Sequence, residues 1–432
     1  MEHLHSLLKM FQNHTWFAFL LVVGLIGFIV YRIADWLQMG FVKSFPQPGD
    51  LEKLPASVYQ SKRRRKWLRA SKSFWKGIAN WLLQVAIIVL AIPVIVVFLF
   101  KQGLSYGWIY TILIVLGYLL NLLFSKYFSL WTPANLTTDT SKASQSIWRK
   151  GNLLFHAWGI VSWTGPAYVF WSYYETNGWI GSVLSMIVSQ TIQLVIFIYT
   201  IKQSAIPYQE YEGLSKEFKQ SLQKYLQDQG IRDDEVGVLE KSNMGPNAFA
   251  TGLFGYKQII LTEELVKGYQ DKGTDFVLKL GDNTLEAIVA HEVGHIKRHH
   301  IEKSIAIGTL ISGFVTVGVY HLFSGHPTSY FFFDQTTTHQ ILLYWGQAIF
   351  NLMLLYPLTF FMMARAQSNE YEADTHMLET NGCKNGQDFF HQMRHIAPVA
   401  NHPFWHSCNQ THPDPYIRET RMIEWTKEHC KA

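Results

Sequence analysis

Two histidines four residues apart, His291 and His295, are the residues of this chain with the clearest chemical potential. On an α-helix, side chains at positions i and i+4 lie on one face, with β-carbons about 5–6 Å apart, so both imidazoles can reach one zinc ion. Glu292 lies beside them without being a ligand, and a carboxylate in that place can take a proton from a water molecule. The spacing therefore predicts a zinc site equipped to hydrolyse a peptide bond.

The residues that precede this motif favour a helix. Positions 285–290 combine good helix formers with apolar residues at helical spacing. A five-residue pattern also occurs by chance, and the alternative is a buried structural helix with two hydrogen-bonded histidines. The zinc interpretation therefore needs support from the rest of the chain.

A catalytic zinc site needs a third protein ligand and leaves its fourth position to water. One known solution places a third histidine six residues after the second, behind a glycine turn, but this chain has Ile301 and Arg298 there. The other solution takes a glutamate from a later helix, and Glu370 offers one. Asp374, four residues further on, then faces the same way and can orient a ligating imidazole through its other ring nitrogen. The alternative for this acidic stretch is a solvated helix face.

Four segments of the C-terminal half, taken in order, resemble the signature of one family. They are residues 246–252 (Pro-Asn-Ala-Phe-Ala-Thr-Gly), 291–295 followed by His300, 370–374 (Glu-Tyr-Glu-Ala-Asp), and His412-Pro413 with Arg418. The family comprises membrane-bound zinc endopeptidases and includes the type I CAAX prenyl proteases and the HtpX-type quality-control proteases. Two differences concern the substrate rather than the chemistry. Ala366-Gln367 stands where the family usually has Ser-Arg, and the Ala-Thr-Gly ending of the first segment is closer to the quality-control branch.

The resemblance implies one Zn²⁺ ion and a role for each residue around it. Zinc lowers the pKa of water to about 7, and the general base then removes the proton. A nearby donor stabilises the tetrahedral oxyanion. The implied roles are zinc ligands His291, His295 and Glu370, general base Glu292, orienting carboxylate Asp374, and oxyanion donor His412 or Arg418. The structural alternatives for the last two are a helix-capping histidine and a surface arginine.

Residues 247–252 and 258–262 read as two short strands joined around Gly255. In the family such a hairpin lies beside the zinc helix, and its edge pairs with the backbone of an extended peptide. The resemblance therefore implies substrate contacts at Asn247, Ala248, Phe249 and Ala250. A hairpin without a substrate role is the alternative.

The composition indicates a membrane protein, because charged residues make up only 16% of the 432 residues and aromatic residues 15%. Seven apolar stretches are long enough to cross about 30 Å of hydrocarbon. They are residues 16–31, 81–100, 108–124, 153–173, 179–199, 304–323 and 341–363. The sequence therefore predicts a mainly α fold: a polytopic seven-helix membrane bundle or barrel with a cytoplasmic, gluzincin-like α+β zinc peptidase domain.

The distribution of basic residues predicts the orientation. The loop that follows the first span contains Lys62-Arg63-Arg64-Arg65-Lys66, and basic loops stay in the cytoplasm. Alternation then leaves only Lys9 and Lys101 of the 37 lysines and arginines outside. This run reads as an orientation signal that also touches membrane lipid rather than as a nucleic-acid site, so no nucleic-acid partner is expected. The zinc site lies on the cytoplasmic side, of the inner membrane in a bacterium or the endoplasmic reticulum in a eukaryote.

The predicted organisation alternates membrane and cytoplasmic parts. Residues 1–200 hold five spans, 201–303 the first part of the zinc domain, 304–363 two further spans, and 364–432 the second part. The three cysteines, Cys383, Cys408 and Cys430, fall on the cytoplasmic side, where thiols stay reduced, so they are expected to be free.

Two functions remain open from the sequence. The first is a membrane zinc endopeptidase, of CAAX-protease or quality-control type, that cleaves extended and possibly lipid-modified polypeptides. The second is a catalytically silent membrane receptor or chamber protein with a structural zinc site. Glu292 favours the first, since a structural zinc has no use for a general base.

Overall fold

The computed structural model describes residues 15–46, 54–86, 201–240, 246–253, 255–270, 277–322 and 337–430, with isolated positions between 95 and 116 and between 184 and 199. The helices are α1 (Thr15–Ser44), α2 (Ala56–Ala86), α3 (Lys216–Asp228), α4 (Glu263–Lys267), α5 (Asp282–Lys297), α6 (His300–Leu322), α7 (Thr337–Asn381), α8 (Cys383–Ile396), α9 (Pro403–Asn409) and α10 (Pro415–His429). The strands are β1 (Ile206–Pro207), β2 (Val236–Leu239), β3 (Ala248–Leu253), β4 (Tyr256–Thr262), β5 (Tyr269–Gln270) and β6 (Val277–Leu278).

The chain divides into two compact units. The first comprises residues 1–33, 72–194 and 308–359, and the second comprises 34–71, 195–307 and 360–432. All the candidate site residues belong to the second unit, which also takes in the end of α1 and the beginning of α2.

The predicted membrane spans fall mostly in the first unit. Those at 16–31, 304–323 and 341–363 coincide with α1, α6 and α7, while the second to fifth lie largely outside the described residues. By length and composition, one stretch of the described chain, Leu25–Ser44, is apolar enough to cross a bilayer.

A four-stranded sheet forms one layer of the second unit, with the strand order β1-β2-β4-β3. Strand β2 runs parallel to β4, whereas β1 and β3 pair antiparallel with their neighbours. The predicted hairpin is therefore present as β3 and β4. Gly255 in its turn has φ +85°, a left-handed conformation that favours glycine. Among the residues that the structure describes, β3 is the last strand of the sheet, so one of its edges has no neighbouring strand there.

Helix α3 packs its apolar stripe into the core of the second unit. Ser215 caps its N-terminus by accepting a hydrogen bond from the Phe218 backbone at 3.0 Å. The buried residues Phe218, Leu222, Tyr225 and Leu226 recur at helical spacing. Each such side chain contributes about 1.5–3 kcal/mol by leaving water. The same cluster contains Leu285, Ala287, Ile288, Val289 and Val293, and so anchors helix α5, which carries His291 and His295.

Two lysines of the basic run make structural contacts. Lys62 Nζ donates to the carbonyls of His395 and Ile396, at 3.1 and 3.2 Å, and Lys66 Nζ donates to the carbonyl of Val399. Positive charge at a helix C-terminus is favourable because the last carbonyls carry partial negative charge. Lys62 thus stabilises the end of α8, and Lys66 bonds the segment that follows it, contacts additional to the role predicted from the sequence.

The expectation of three free cysteines is wrong for two of them. Cys383, at the start of α8, is bonded to Cys430, just after α10, with the Cα atoms 6.6 Å apart. Their 47-residue sequence separation gave no sign of this contact, which arises because α8 and α10 pack together. Cys408 is free and buried.

Candidate metal centre

Three side chains from two helices converge on one point. His291 and His295 lie one turn apart on α5, and their Nε2 atoms are 3.2 Å apart. Glu370 of α7 lies opposite them, with Oε2 at 3.3 Å from His291 Nε2 and Oε1 at 3.4 Å from His295 Nε2. Together they form a cluster of potential metal ligands, with their ligand atoms within 4.8 Å of one another.

The geometry of this cluster fits zinc. With zinc–nitrogen bonds of about 2.0–2.1 Å and tetrahedral angles, two ligating nitrogens stand about 3.3–3.4 Å apart. The observed Nε2–Nε2 distance of 3.2 Å is close to that value. Two imidazoles and one carboxylate also match the ligand set of a catalytic zinc site, which keeps one position open. His291, His295 and Glu370 would hold the ion.

Gly294, between the two histidines, allows α7 to approach α5. A Cβ atom at this position would lie 2.9 Å from Ala373 Cα and 3.1 Å from Ala373 O. Those distances are shorter than ordinary contacts, so any larger residue would separate the helices. Ala373 lies between Glu370 and Asp374, and the close approach therefore brings both carboxylates to the histidines.

Asp374 and Arg418 form a buried ionic support behind His291. Asp374 Oδ1 lies 2.9 Å from His291 Nδ1, on the side of the ring opposite the metal position. The Arg418 guanidinium of α10 bonds both Asp374 oxygens and lies 3.6 Å from Glu370 Oε2. Because Arg418 is only 6% exposed, its side chain is enclosed in the site rather than on the surface.

These ionic contacts change the proton affinities of the buried groups. Burial by itself lowers the pKa of His291, but its hydrogen bonds to Asp374 and Glu370 outweigh that effect and raise the pKa to about 10. Burial raises the pKa of Asp374, but the Arg418 charge and the His291 contact bring it below its usual value. The pKa of Glu370 is likewise lowered, against burial, by His291, His295 and His412. In the metal-free site, the carboxylates of Glu370 and Asp374 therefore stay ionised, and His291 carries a proton on both ring nitrogens.

Glu292 faces the sheet edge. It is 7% exposed, and its Oε2 accepts a hydrogen bond from the Ala250 backbone N–H at 2.7 Å. Backbone groups of a strand alternate in direction. The backbone carbonyl of Asn247 faces β4, where it accepts a hydrogen bond from the Thr262 N–H at 2.9 Å. The backbone groups of Ala248 and Ala250 therefore point to the outer edge of β3. Glu292, the predicted general base, and that edge are thus in direct contact.

The remaining predicted residues occupy different surroundings. His412, in the loop between α9 and α10, is 68% exposed, and its Nδ1 lies 2.8 Å from Glu370 Oε2. The backbones of Asn247 and Phe249 face β4 rather than the outer edge. The structure therefore brings Asp374, His412 and Arg418 to the candidate ligands and Ala250 to Glu292. It places Asn247 at the β4 side of the hairpin.

Comparison with known proteins agrees with this site. Residues 214–425 match the model of peptidase family M48, a segment that contains every candidate site residue. This match and those below confirm the family resemblance drawn from the motifs, and residues 214–425 belong to peptidase family M48.

Two curated relatives give more detail. The chain is 26% identical over 228 residues to CAAX prenyl protease 1 of Saccharomyces cerevisiae, covering 48% of this chain and 47% of that protein. It is 26% identical over 162 residues to a protease HtpX homolog of Picrophilus torridus, covering 37% of this chain and 45% of that protein. The chain spans about half the length of the curated relatives it matches.

A solved structure extends the likeness beyond the peptidase segment. The crystal structure of S. mikatae Ste24p superposes with a TM-score of 0.62, covering 94% of this chain and 98% of that chain. The sequence identity is 19%, so this comparison shows the fold alone. The mainly helical fold with a small sheet agrees with the mainly α part of the predicted fold class, while the seven spans and the cytoplasmic side of the peptidase domain stay predictions.

Proposed function

We propose that this protein is a membrane zinc endopeptidase that cleaves extended, membrane-associated polypeptides at the cytoplasmic face. One observation carries the proposal: His291, His295 and Glu370 converge at zinc-ligand distances, while Glu292 lies beside them and bonds the outer edge of β3. A structural metal site needs neither the general base nor the strand edge.

The zinc ion, when bound, supplies a Lewis acid that polarises the scissile carbonyl and acidifies water. The chain's own residues supply the rest. Glu292 accepts the proton of the attacking water and later delivers it to the leaving amine. The outer backbone N–H and C=O of Ala248 and the C=O of Ala250 pair with an extended substrate, since the Ala250 N–H is bonded to Glu292. This pairing fixes the scissile bond without reading many side chains.

His412 and Arg418 are assigned different roles on geometric grounds. His412 is exposed and adjacent to Glu370, so it is the group placed to donate a hydrogen bond to the oxyanion. Arg418 is buried and bonded to both oxygens of Asp374, so it acts by holding that carboxylate against His291. Arg418 is therefore a positioning residue in this proposal.

The membrane selects the substrate. Glu370 follows the end of the predicted seventh span by seven residues of the same helix, α7, which is about 10 Å along the axis. His300 similarly begins α6, which carries the predicted sixth span. A polypeptide already bound to the bilayer is therefore concentrated beside the site, and an attached lipid strengthens this by about 0.8 kcal/mol for each buried methylene.

A matched pair of peptides tests the proposal. One peptide sequence is prepared with and without a prenyl or acyl chain, and both forms are offered to the protein in liposomes. We expect a lower KM for the lipidated form and no cleavage of either form by Glu292→Gln protein in the same liposomes. Equal cleavage of both forms, or efficient cleavage of a folded soluble protein, would show that the membrane does not select the substrate.

A further inference from the structure

His300 lies behind the second zinc-binding histidine. Its Nδ1 is 3.0 Å from His295 Nδ1, and its Nε2 is 3.1 Å from Glu372 Oε2. His300 is only 2% exposed, whereas the Glu372 side chain is 36% exposed. The three side chains thus form a chain of contacts that runs from the candidate ligand to the surface.

The helix break between α5 and α6 creates this contact. In a continuous helix, residues five apart are separated by about 140° around the axis and face different directions. Here α5 ends at Lys297 and α6 begins at His300, with His299 between them at φ +55°. Left-handed conformations are uncommon for residues other than glycine and asparagine. The turn therefore uses an unfavourable conformation to bring His300 back against His295.

Metal binding would set the hydrogen-bond directions between His295, His300 and Glu372. His295 Nε2 faces His291 and Glu370, so a metal uses that nitrogen and leaves the proton on Nδ1. His295 Nδ1–H then donates to His300 Nδ1, and His300 Nε2–H donates to Glu372. Ligating histidines almost always donate their second ring N–H to an acceptor, usually a carboxylate, a backbone carbonyl or water. His291 has Asp374 for this purpose, and His295 has His300.

We propose that His300 and Glu372 are positioning residues that orient His295 for zinc, in parallel with the Asp374–Arg418 support of His291. This inference rests on the proposed function, because it assumes that the cluster binds zinc. The two imidazoles are then held by different means. The buried carboxylate of Asp374 holds His291 directly, whereas the partly exposed carboxylate of Glu372 holds His295 through the imidazole of His300.

Zinc affinity and the cobalt spectrum test this proposal. The full-length protein is purified with the substitution His300→Ala, and its zinc dissociation constant is measured by competition with a chelator. We expect affinity to fall about 10- to 100-fold and the visible spectrum of the cobalt-substituted protein to change. His300→Asn, which keeps an acceptor atom close to the position of Nδ1, should recover part of the affinity.

The neighbouring histidine gives the matched control. His299 has a 68% exposed side chain and lies in the left-handed conformation, which asparagine tolerates, so His299→Asn should leave zinc affinity and spectrum unchanged. Glu372→Gln changes the residue at the surface end of the His295–His300–Glu372 contacts. Because this position is partly exposed, the variant is expected to fold. It should weaken zinc less than His300→Ala, and the double variant should be no worse than His300→Ala alone.

The outcomes separate this inference from the proposed function. If the unaltered protein binds zinc, and both His300→Ala and Glu372→Gln match His299→Asn in affinity and spectrum, the positioning role is wrong. If His300→Ala fails to fold, Glu372→Gln alone decides in the same way. If the unaltered protein binds no zinc, the proposed function fails first.

Discussion

Individual residues of the site compensate one another's charge. Asp374 and Glu370 are buried carboxylates, and Arg418 and a protonated His291 lie against them in the metal-free protein. Removing one member of such a buried group is costly, because the others remain desolvated and unpaired. A zinc ion bound here would therefore have to replace the Nε2 proton of His291, while the Nδ1 proton stays hydrogen-bonded to Asp374.

That replacement predicts a pH dependence. The pKa of His291 is raised to about 10, so the metal-free protein holds this proton throughout the neutral range. The apparent zinc affinity should rise with pH, by up to about tenfold per pH unit below that pKa, because the competing proton becomes easier to remove. Calorimetry in buffers of different ionisation enthalpy should show proton release at neutral pH. An affinity that does not change with pH would contradict this description.

Helix packing decides whether the ligands meet. From the sequence, the i, i+4 spacing predicts that His291 and His295 share one helix face. It predicts likewise that Glu370 and Asp374 share a face of another helix. The close contact of Gly294 with Ala373 could not be predicted, because it depends on which helices pack together. The role of Glu372 was not predicted for a similar reason, since it depends on the turn at His299.

A single methyl group should test the close approach of α5 and α7. Gly294→Ala keeps every ligand but would place a Cβ atom 2.9 Å from Ala373 Cα. We expect weaker zinc binding and a lower thermal unfolding midpoint, with an overpacking cost of about 1–3 kcal/mol. Gly281→Ala, at the start of the same helix with nothing within 4 Å of the added Cβ, is the control. Equal zinc affinity in the two variants would show that the contact does not position the ligands.

The whole molecule combines two indications of orientation that disagree. Basic charge favours a cytoplasmic site, whereas the Cys383–Cys430 disulfide is typical of an oxidising compartment. The distribution of basic residues is the stronger indication, because it involves every loop of the chain.

Labelling should decide the orientation. A cysteine introduced at position 330, between the last two predicted spans, should react with an impermeant reagent added from the outer face. Native Cys383 and Cys430, once their disulfide is reduced, should react only after the membrane is opened. Labelling of position 330 only from the cytoplasmic face would reverse the topology and place the zinc site outside.

The central claim, a zinc endopeptidase whose general base is Glu292, is tested most directly by the Glu292→Gln protein. Its zinc content and its cleavage of a peptide substrate are measured in one preparation alongside the unaltered protein. His291, His295 and Glu370 are untouched, so zinc should stay at one ion per chain, while hydrolysis should fall at least about 100-fold through loss of the proton acceptor. Full zinc with substantial remaining turnover would contradict the account.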